Sequence, residues 1–334
     1  MEALGNLFSL MGDTQTAVVM DLEWNQNIYR TNQRMPHEII EIGACRIDRE
    51  GKIRDRFSRI IRPQLYKKVD SHIREVTGIT EKELSEGESF SEVYGQFEDW
   101  AGNVPLITWG RDDYPVLKRN VLFHNSKMVF TPPLNVQMIY GLVRMHDANR
   151  QMNLHGALEK EEIIPEIPAH RAVYDSECTV MLLPLISGLI AELDEEQRRN
   201  LLREIDKENR IADSSLKSVR TRHTLHTDAM MDDGLMFIRC PVCGARTRMD
   251  VPWFNSGRDR YDAIFICSRD GWIKGQMHFK RDTSGVLVMH QRTYPANKEE
   301  VDKVREEYKL YKLIPPDKRH HRLCMDEVRR KGPF

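Results

Sequence analysis

No run in the sequence approaches the roughly 20 consecutive apolar residues that a membrane-crossing helix needs, so no membrane partner is expected. The opening stretch, MEALGNLFSLMGD, lacks a basic cluster leading into a long apolar segment, so it does not read as a signal peptide, and the expected location is cytoplasmic. No internal repeat is present. Cysteine is scarce, with 6 in 334 residues, which is too thin for a disulfide scaffold. Three of the six, Cys240, Cys243 and Cys267, nevertheless fall close together, and in a cytosolic chain that grouping reads as a metal site. Cys45 and Cys178 sit in apolar surroundings that read as core. Cys324 has no assignable role.

What is present supports a folded chain. Hydrophobic residues make up 40% and charged residues 30%, enough for a packed core and too apolar for wholesale disorder. The length suggests about two domains. The net charge of −1 is unevenly spread: from Met236 onward there are 21 Lys and Arg against 13 Asp and Glu, and before it 29 against 38. An acidic front suits cations and a basic back suits polyanions.

The first block, residues 14–190, alternates strand and helix signals. TAVVMDLEW, EIIEIGACRI and KIRDRFSRIIRP read as three strands in a row, with Gly51 in the second turn. A helix follows with Asp70 or Ser71 as N-cap, then SFSEVYGQFEDWAG with Phe90, Val93, Phe97 and Trp100 on one stripe. VPLITWG reads as a fourth strand, DDYPVLKRNVLF as a helix with Pro115 in its first turn, and HRAVYDSECTVMLLPLISGLI as a long buried helix. Such an order indicates an α/β fold with a mixed sheet flanked by helices. Residues 191–234 read as a polar helix and linker, 235–295 as a small β-rich domain around the cysteines, and 296–334 as a charged helix with a basic tail.

Chemistry concentrates in three stretches of the first block. In VVMDLEWN an apolar strand runs into Asp21 and Glu23, which point to the same face because they lie two apart. Like charges at that range raise each other's pKa unless a cation lies between them, and carboxylate oxygens suit Mg²⁺ or Mn²⁺. A strand ending in solvent gives the same pattern, so this pair carries little weight alone. LITWGRDDYPVL again drives a strand into acids, Asp112 and Asp113. AHRAVYDSE places His170 and Asp175 five apart at a helix start.

With these three motifs in this order, residues 16–188 resemble the DEDDh 3′–5′ exonucleases, the DnaQ-like branch of the ribonuclease H-like superfamily, and most closely the KapD and histone-mRNA exonuclease branch. HIREVTGIT and NLHGALE belong to the same resemblance. It implies a ribonuclease H-like sheet and four metal-binding acids: Asp21, Glu23, Asp113 and Asp175. Asp113 is chosen over Asp112 because the second motif reads W-G-x-x-D, matched by Trp109, Gly110 and Asp113. His170 would be the general base. Two metals roughly 4 Å apart would clamp the scissile phosphate of a single-stranded 3′ end, RNA in preference to DNA, and release nucleoside 5′-monophosphates. Trp24 and Asn25 would contact substrate; Trp24 is equally compatible with stacking on the last nucleotide and with core packing.

In the third block, RCPVCGARTR is a C-x-x-C-G knuckle whose turn lets two thiolates reach one cation. FICSRDGW supplies Cys267 and, where a zinc ribbon normally has a second cysteine, Asp270. Cys240, Cys243, Cys267 and Asp270 would hold Zn²⁺, with His278 as an alternative fourth ligand; a ribbon that has lost its metal gives the same spacing. Around them, residues 236–281 contain nine Lys and Arg against four acids, interleaved with Phe237, Trp253, Phe254, Tyr261, Phe265, Trp272 and Phe279. Basic groups among aromatics suit single-stranded nucleic acid, while a small domain also needs aromatics for its core. Two competing readings are a non-catalytic nucleic-acid-binding or regulatory protein on the same scaffold and a proofreading subunit. The complete set of four acids with His170 disfavours the first, and the extra ribbon disfavours the second.

Overall fold

The computed structural model describes residues 3–12, 14–26, 35, 37–148, 150–165, 171–212, 214–257, 260–282 and 284–315. The chain divides into two compact units, Met1–Ala212 and Asp213–Phe334.

The first unit contains α1 (Gly5–Ser9), β1 (Thr16–Asn25), β2 (Glu38–Asp48), β3 (Ile53–Ile60), α2 (Ser71–Thr77), α3 (Glu81–Glu86), α4 (Phe90–Ala101), β4 (Leu106–Thr108), α5 (Asp113–Phe123), β5 (Leu134–Asn135), α6 (Val136–Met145), α7 (Leu154–Lys160), α8 (Ala172–Ala191) and α9 (Glu195–Ala212). Its sheet has the order β3-β2-β1-β4-β5. β1 to β3 form an antiparallel meander, whereas β4 runs parallel to β1 and β5 parallel to β4. The sheet is therefore mixed, and β1 is its central strand.

β1 is apolar in a continuous run because both its faces are covered. Ala17 and Val19 join a core with α6 and α8, while Val18, Met20 and Leu22 join a second core with α4 and α5. Local signals set the helix starts. Asp70 caps α2 by accepting from the His72 amide, and Ser89 with Glu92 forms a capping box on α4. α8 is long and apolar enough by composition to cross a membrane, and here Cys178, Leu182, Leu183 and Ile186 pack in the core beneath the sheet. The polar segment after it joins this unit as well. Leu201 and Ile205 of α9 are buried, and Glu208 accepts from Arg111 at 2.6 Å and from Asn135 at 3.2 Å.

The second unit contains β6 (Ser215–Arg220), α10 (His226–Met231), α11 (Asp233–Met236), β7 (Arg248–Gly257), β8 (Arg260–Cys267), β9 (Gly271–Arg281), β10 (Leu287–Pro295) and α12 (Lys298–Leu313). Its sheet is antiparallel throughout, ordered β6-β10-β9-β8-β7. Alternation along the strands builds two cores. Tyr261, Phe265, Ile273, Met277 and Phe279 face one, with Trp253 buried among them, and Val251, Phe254 and Ile264 face α12 through Val301, Val304 and Tyr311. Most aromatics of the basic stretch are thus core residues; Phe237 is exposed. Cys324 and the basic tail lie outside the described residues.

Candidate active site

The site is built on two adjacent strands. Asp21 and Glu23 project from one face of β1, and directly opposite them in register on β2 stand Gly43 and Glu41. Both β2 residues dock the start of α8. A Cβ on Gly43 would lie 2.0 Å from the Val173 amide nitrogen, so only glycine lets the helix approach this closely. Ser176 Oγ donates to the Gly43 carbonyl at 3.1 Å. The fully buried Glu41 accepts from Arg171 Nε and Nη2 at about 3 Å and from the Ala172 amide at 3.3 Å. Arg171 is the residue immediately before α8, so this pair fixes the helix entry.

That docking carries Asp175, in the first turn of α8, up to the β1 carboxylates. Carboxylate oxygens of Asp21, Glu23 and Asp175 lie within 4.8 Å of one another. Asp113 opens α5 and is only 5% exposed; it is the strongest charged neighbour of Asp21, and its carboxylate accepts from the Leu22 amide. Asp112 is exposed and caps α5 without a side-chain hydrogen bond. Asp175 Oδ1 also lies 3.6 Å from His155 Nε2. His170, two residues ahead of α8, lies outside the described residues.

Crowding and burial push Asp21, Glu23 and Asp113 toward their neutral forms. Burial, then Asp113, Glu23 and Asp175, push the Asp21 carboxyl well above its ordinary value. Glu23 is pushed up to about 8 by burial and then by Asp175, Glu41 and Asp113, with Arg171 opposing. Burial and then Asp112 push Asp113 up to about 7, against hydrogen bonds from its own amide and that of Leu22. Four acids that repel in one buried place form an all-oxygen donor set that fits hard divalent cations, whose charge would return them to carboxylates.

The two expected substrate contacts differ. Trp24 is half-buried, packs against the α4–α5 core, and its ring centroid is 5.9 Å from that of His37. Asn25 is fully buried and occupied: Nδ2 donates to the Tyr66 and Lys68 carbonyls, both at 2.8 Å, and Oδ1 accepts from the Asp70 and Gln26 amides. These bonds tie it to the segment leading into α2.

In the second unit, Cys240, Cys243, Cys267 and Asp270 place one donor atom each within 4.8 Å of the others. Cys240 and Cys267 thiols donate to Asp270 Oδ2 at 3.1 and 3.2 Å, and the Cys243 and Cys267 sulfurs are 3.6 Å apart. Gly244 follows the knuckle at φ +71°, a region that favours glycine. Three sulfurs and one carboxylate oxygen are a donor set that fits a tetrahedral divalent metal. His278 is elsewhere, in mid-β9, with its ring stacked on His290 at 4.9 Å.

Sequence reading missed Glu41, Gly43 and Arg171. A signal existed in EIIEIGACRI, where Glu41 and Gly43 share a face of a strand otherwise wholly apolar from Ile39 to Cys45.

The family model described as Exonuclease (RNase_T) matches residues 18–183. Over 122 residues the chain is 30% identical to a probable 3′-5′ exonuclease KapD of Bacillus subtilis, covering 35% of this chain and 58% of that one. Over 173 residues it is 28% identical to a PolC-type DNA polymerase III of Bacillus cereus, covering 51% of this chain and 11% of the other. The chain thus spans less than two thirds of the curated relatives it matches. Among solved structures, the nuclease domain of 3′hExo, a DEDDh family member bound to rAMP, aligns with a TM-score of 0.47 at 20% identity over 52% of this chain and 91% of that one. Cell-death related nuclease 4 aligns at 0.46 and 21%, over 52% and 64%.

Proposed function

We propose that this protein, whose residues 18–183 match the Exonuclease (RNase_T) family model, is a metal-dependent 3′–5′ exonuclease that removes nucleoside 5′-monophosphates from single-stranded ends, RNA in preference to DNA. The observation that carries the reading is the meeting of Asp21, Glu23 and Asp175 within 4.8 Å, with Asp113 buried beside Asp21.

Asp21, Glu23, Asp113 and Asp175 would hold two Mg²⁺ or Mn²⁺ ions, and Cys240, Cys243, Cys267 and Asp270 a structural Zn²⁺. Bound in the acid cage, divalent ions supply charge neutralisation at a phosphate and acidify water. The chain does the rest. β1 and the starts of α5 and α8 hold the four acids in fixed positions, which is positioning of the kind that phosphoryl chemistry depends on. His170, next in sequence to the anchored Arg171, takes the proton of the attacking water as a new P–O bond forms and the bond to the 3′ oxygen breaks. The shortened strand keeps a 3′ hydroxyl.

The test is a panel of 5′-labelled single- and double-stranded RNA and DNA with Mg²⁺ or Mn²⁺. Wild type should shorten single strands one nucleotide at a time. Asp21→Ala should abolish shortening, and His170→Ala should slow it by about 100-fold or more while leaving metal binding intact. Intact strands after incubation of wild type with Mn²⁺ sink the reading.

A further inference from the structure

One face of the second unit's sheet is only half covered. α12 packs on it over β7 and β8. Over β6, β10 and β9 the same face forms a groove of about 710 Å³. Two cross-strand rows line it. In the first, Ser218, His290, His278 and Arg260 stand opposite one another across four strands. In the second, Arg292 faces Gln276 across β10 and β9. Lys280 lies two residues beyond His278 on the same face of β9.

The groove's charge is one-sided. Among the described residues no carboxylate lines it. Asp262, the partner of Arg260 and Gln276, is fully buried and engaged: Oδ2 accepts from Arg260 at 2.9 Å and Oδ1 from Gln276 at 3.2 Å. Lys280 and Arg292 make no ion pair among the described residues. Between the cations lies a flat surface, the His278 and His290 rings, stacked at 4.9 Å and 21° and braced by Ser218 Oγ at 2.9 Å from His290 Nδ1. Burial, His290 and Lys280 hold the His278 imidazole below its ordinary pKa, which favours the neutral ring.

Cations without an ion pair among the described residues, flanking a half-buried pair of rings on an open sheet, match phosphates alternating with bases. We propose that this groove binds single-stranded nucleic acid, with phosphodiesters against Lys280 and Arg292 and bases over the His278–His290 pair. The inference rests on the reading that the chain acts on nucleic acid, and it adds a second contact outside the acid cage. Phosphodiesters are common to RNA and DNA, so both are tested.

The experiment uses the full chain carrying Asp21→Ala, so that strands survive. Fluorescein-labelled oligouridylate and oligothymidylate of about 20 nucleotides, and a duplex of equal length, are titrated by anisotropy at several salt concentrations. The pair Lys280→Glu and Arg292→Glu should weaken single-strand binding at least ~10-fold and lower the salt slope by about two. The pair Lys303→Glu and Lys309→Glu makes the same charge change on α12 and should stay within about twofold of the parent. Lys280→Arg with Arg292→Lys should keep binding, which separates lost charge from lost fold. His278→Ala with His290→Ala should weaken binding with the salt slope unchanged. Tighter uridylate assigns a ribose contact, and equal affinities assign the phosphodiester alone; both support the groove. Equal loss from the α12 pair, duplex binding as tight as single strands, or displacement by polyglutamate as effective per charge as by unlabelled strand would each overturn it. Because binding is read in an inactive background, absence of nuclease activity in the wild type would not be mistaken for failure of the groove.

Discussion

At the scale of single residues, position on a strand matters more than chemical type. Asp21 and Glu23 become a site because Gly43 and Glu41 opposite them admit and anchor another helix. Gly43→Ala should therefore be far more harmful than its size suggests. The new methyl would overlap α8 backbone, costing about 1–3 kcal/mol of stability and displacing Asp175. Activity should fall on the order of 100-fold. A thermal midpoint and a turnover assay check both, and a variant with full turnover would remove Gly43 from the argument. Asn25→Ala makes the opposite kind of prediction. It strips partners from two carbonyls and two amides, so stability should drop by roughly 1–3 kcal/mol while KM for a single-stranded substrate stays within a few-fold. A large rise in KM at unchanged stability would return Asn25 to the substrate.

At the scale of elements, β1, α5 and α8 converge on one buried cluster of negative charge, and this makes stability depend on pH and on cations. Asp21, Glu23 and Asp113 all have pKa values raised by folding. Folding without metal thus takes up protons, so the stability they support is full below the ordinary carboxylate range and is lost as pH rises through about 7 to 8. Metal-free protein should show a falling thermal midpoint from about pH 5 to pH 8. Mn²⁺ should restore it at pH 8 far more than at pH 5, because cation and protons relieve the same repulsion. Asp21→Asn should flatten the profile and reduce the Mn²⁺ effect. A profile that rises over this range in wild type would show that the acids do not meet as described.

At the scale of the whole molecule, the two units have separate cores. The clusters beneath the mixed sheet draw on residues 4–205, and those of the second sheet on residues 229–311. A fragment of residues 1–212 should fold and shorten short oligonucleotides at a rate comparable with the full chain. The Cys240–Cys243–Cys267–Asp270 cage lies wholly in the other unit. A zinc-selective chelator should therefore lower the thermal transition of the second unit and leave that of the fragment unmoved. Calorimetry of both proteins with and without chelator reads this directly, and a shift in the fragment would contradict it.

Sequence alone determined the elements whose signals are local. A short valine-rich apolar run that ends in two acids reads as a strand covered on both faces, so β1 was legible, as were the carboxylates two apart at its end. The knuckle at Cys240 and Cys243 was legible because a four-residue turn fixes its geometry. Tertiary structure decided whatever depends on what lies opposite. It separated Asp113 from Asp112 by burying one and exposing the other, assigned Asn25 to backbone, and put most of the second unit's aromatics into its cores. It brought Asp270, not His278, to the three sulfurs. Glu41 and Gly43 stood in plain sight in EIIEIGACRI, but their role depends on α8, about 130 residues later in the chain. No local pattern encodes a partner that distant; only packing brings the two together.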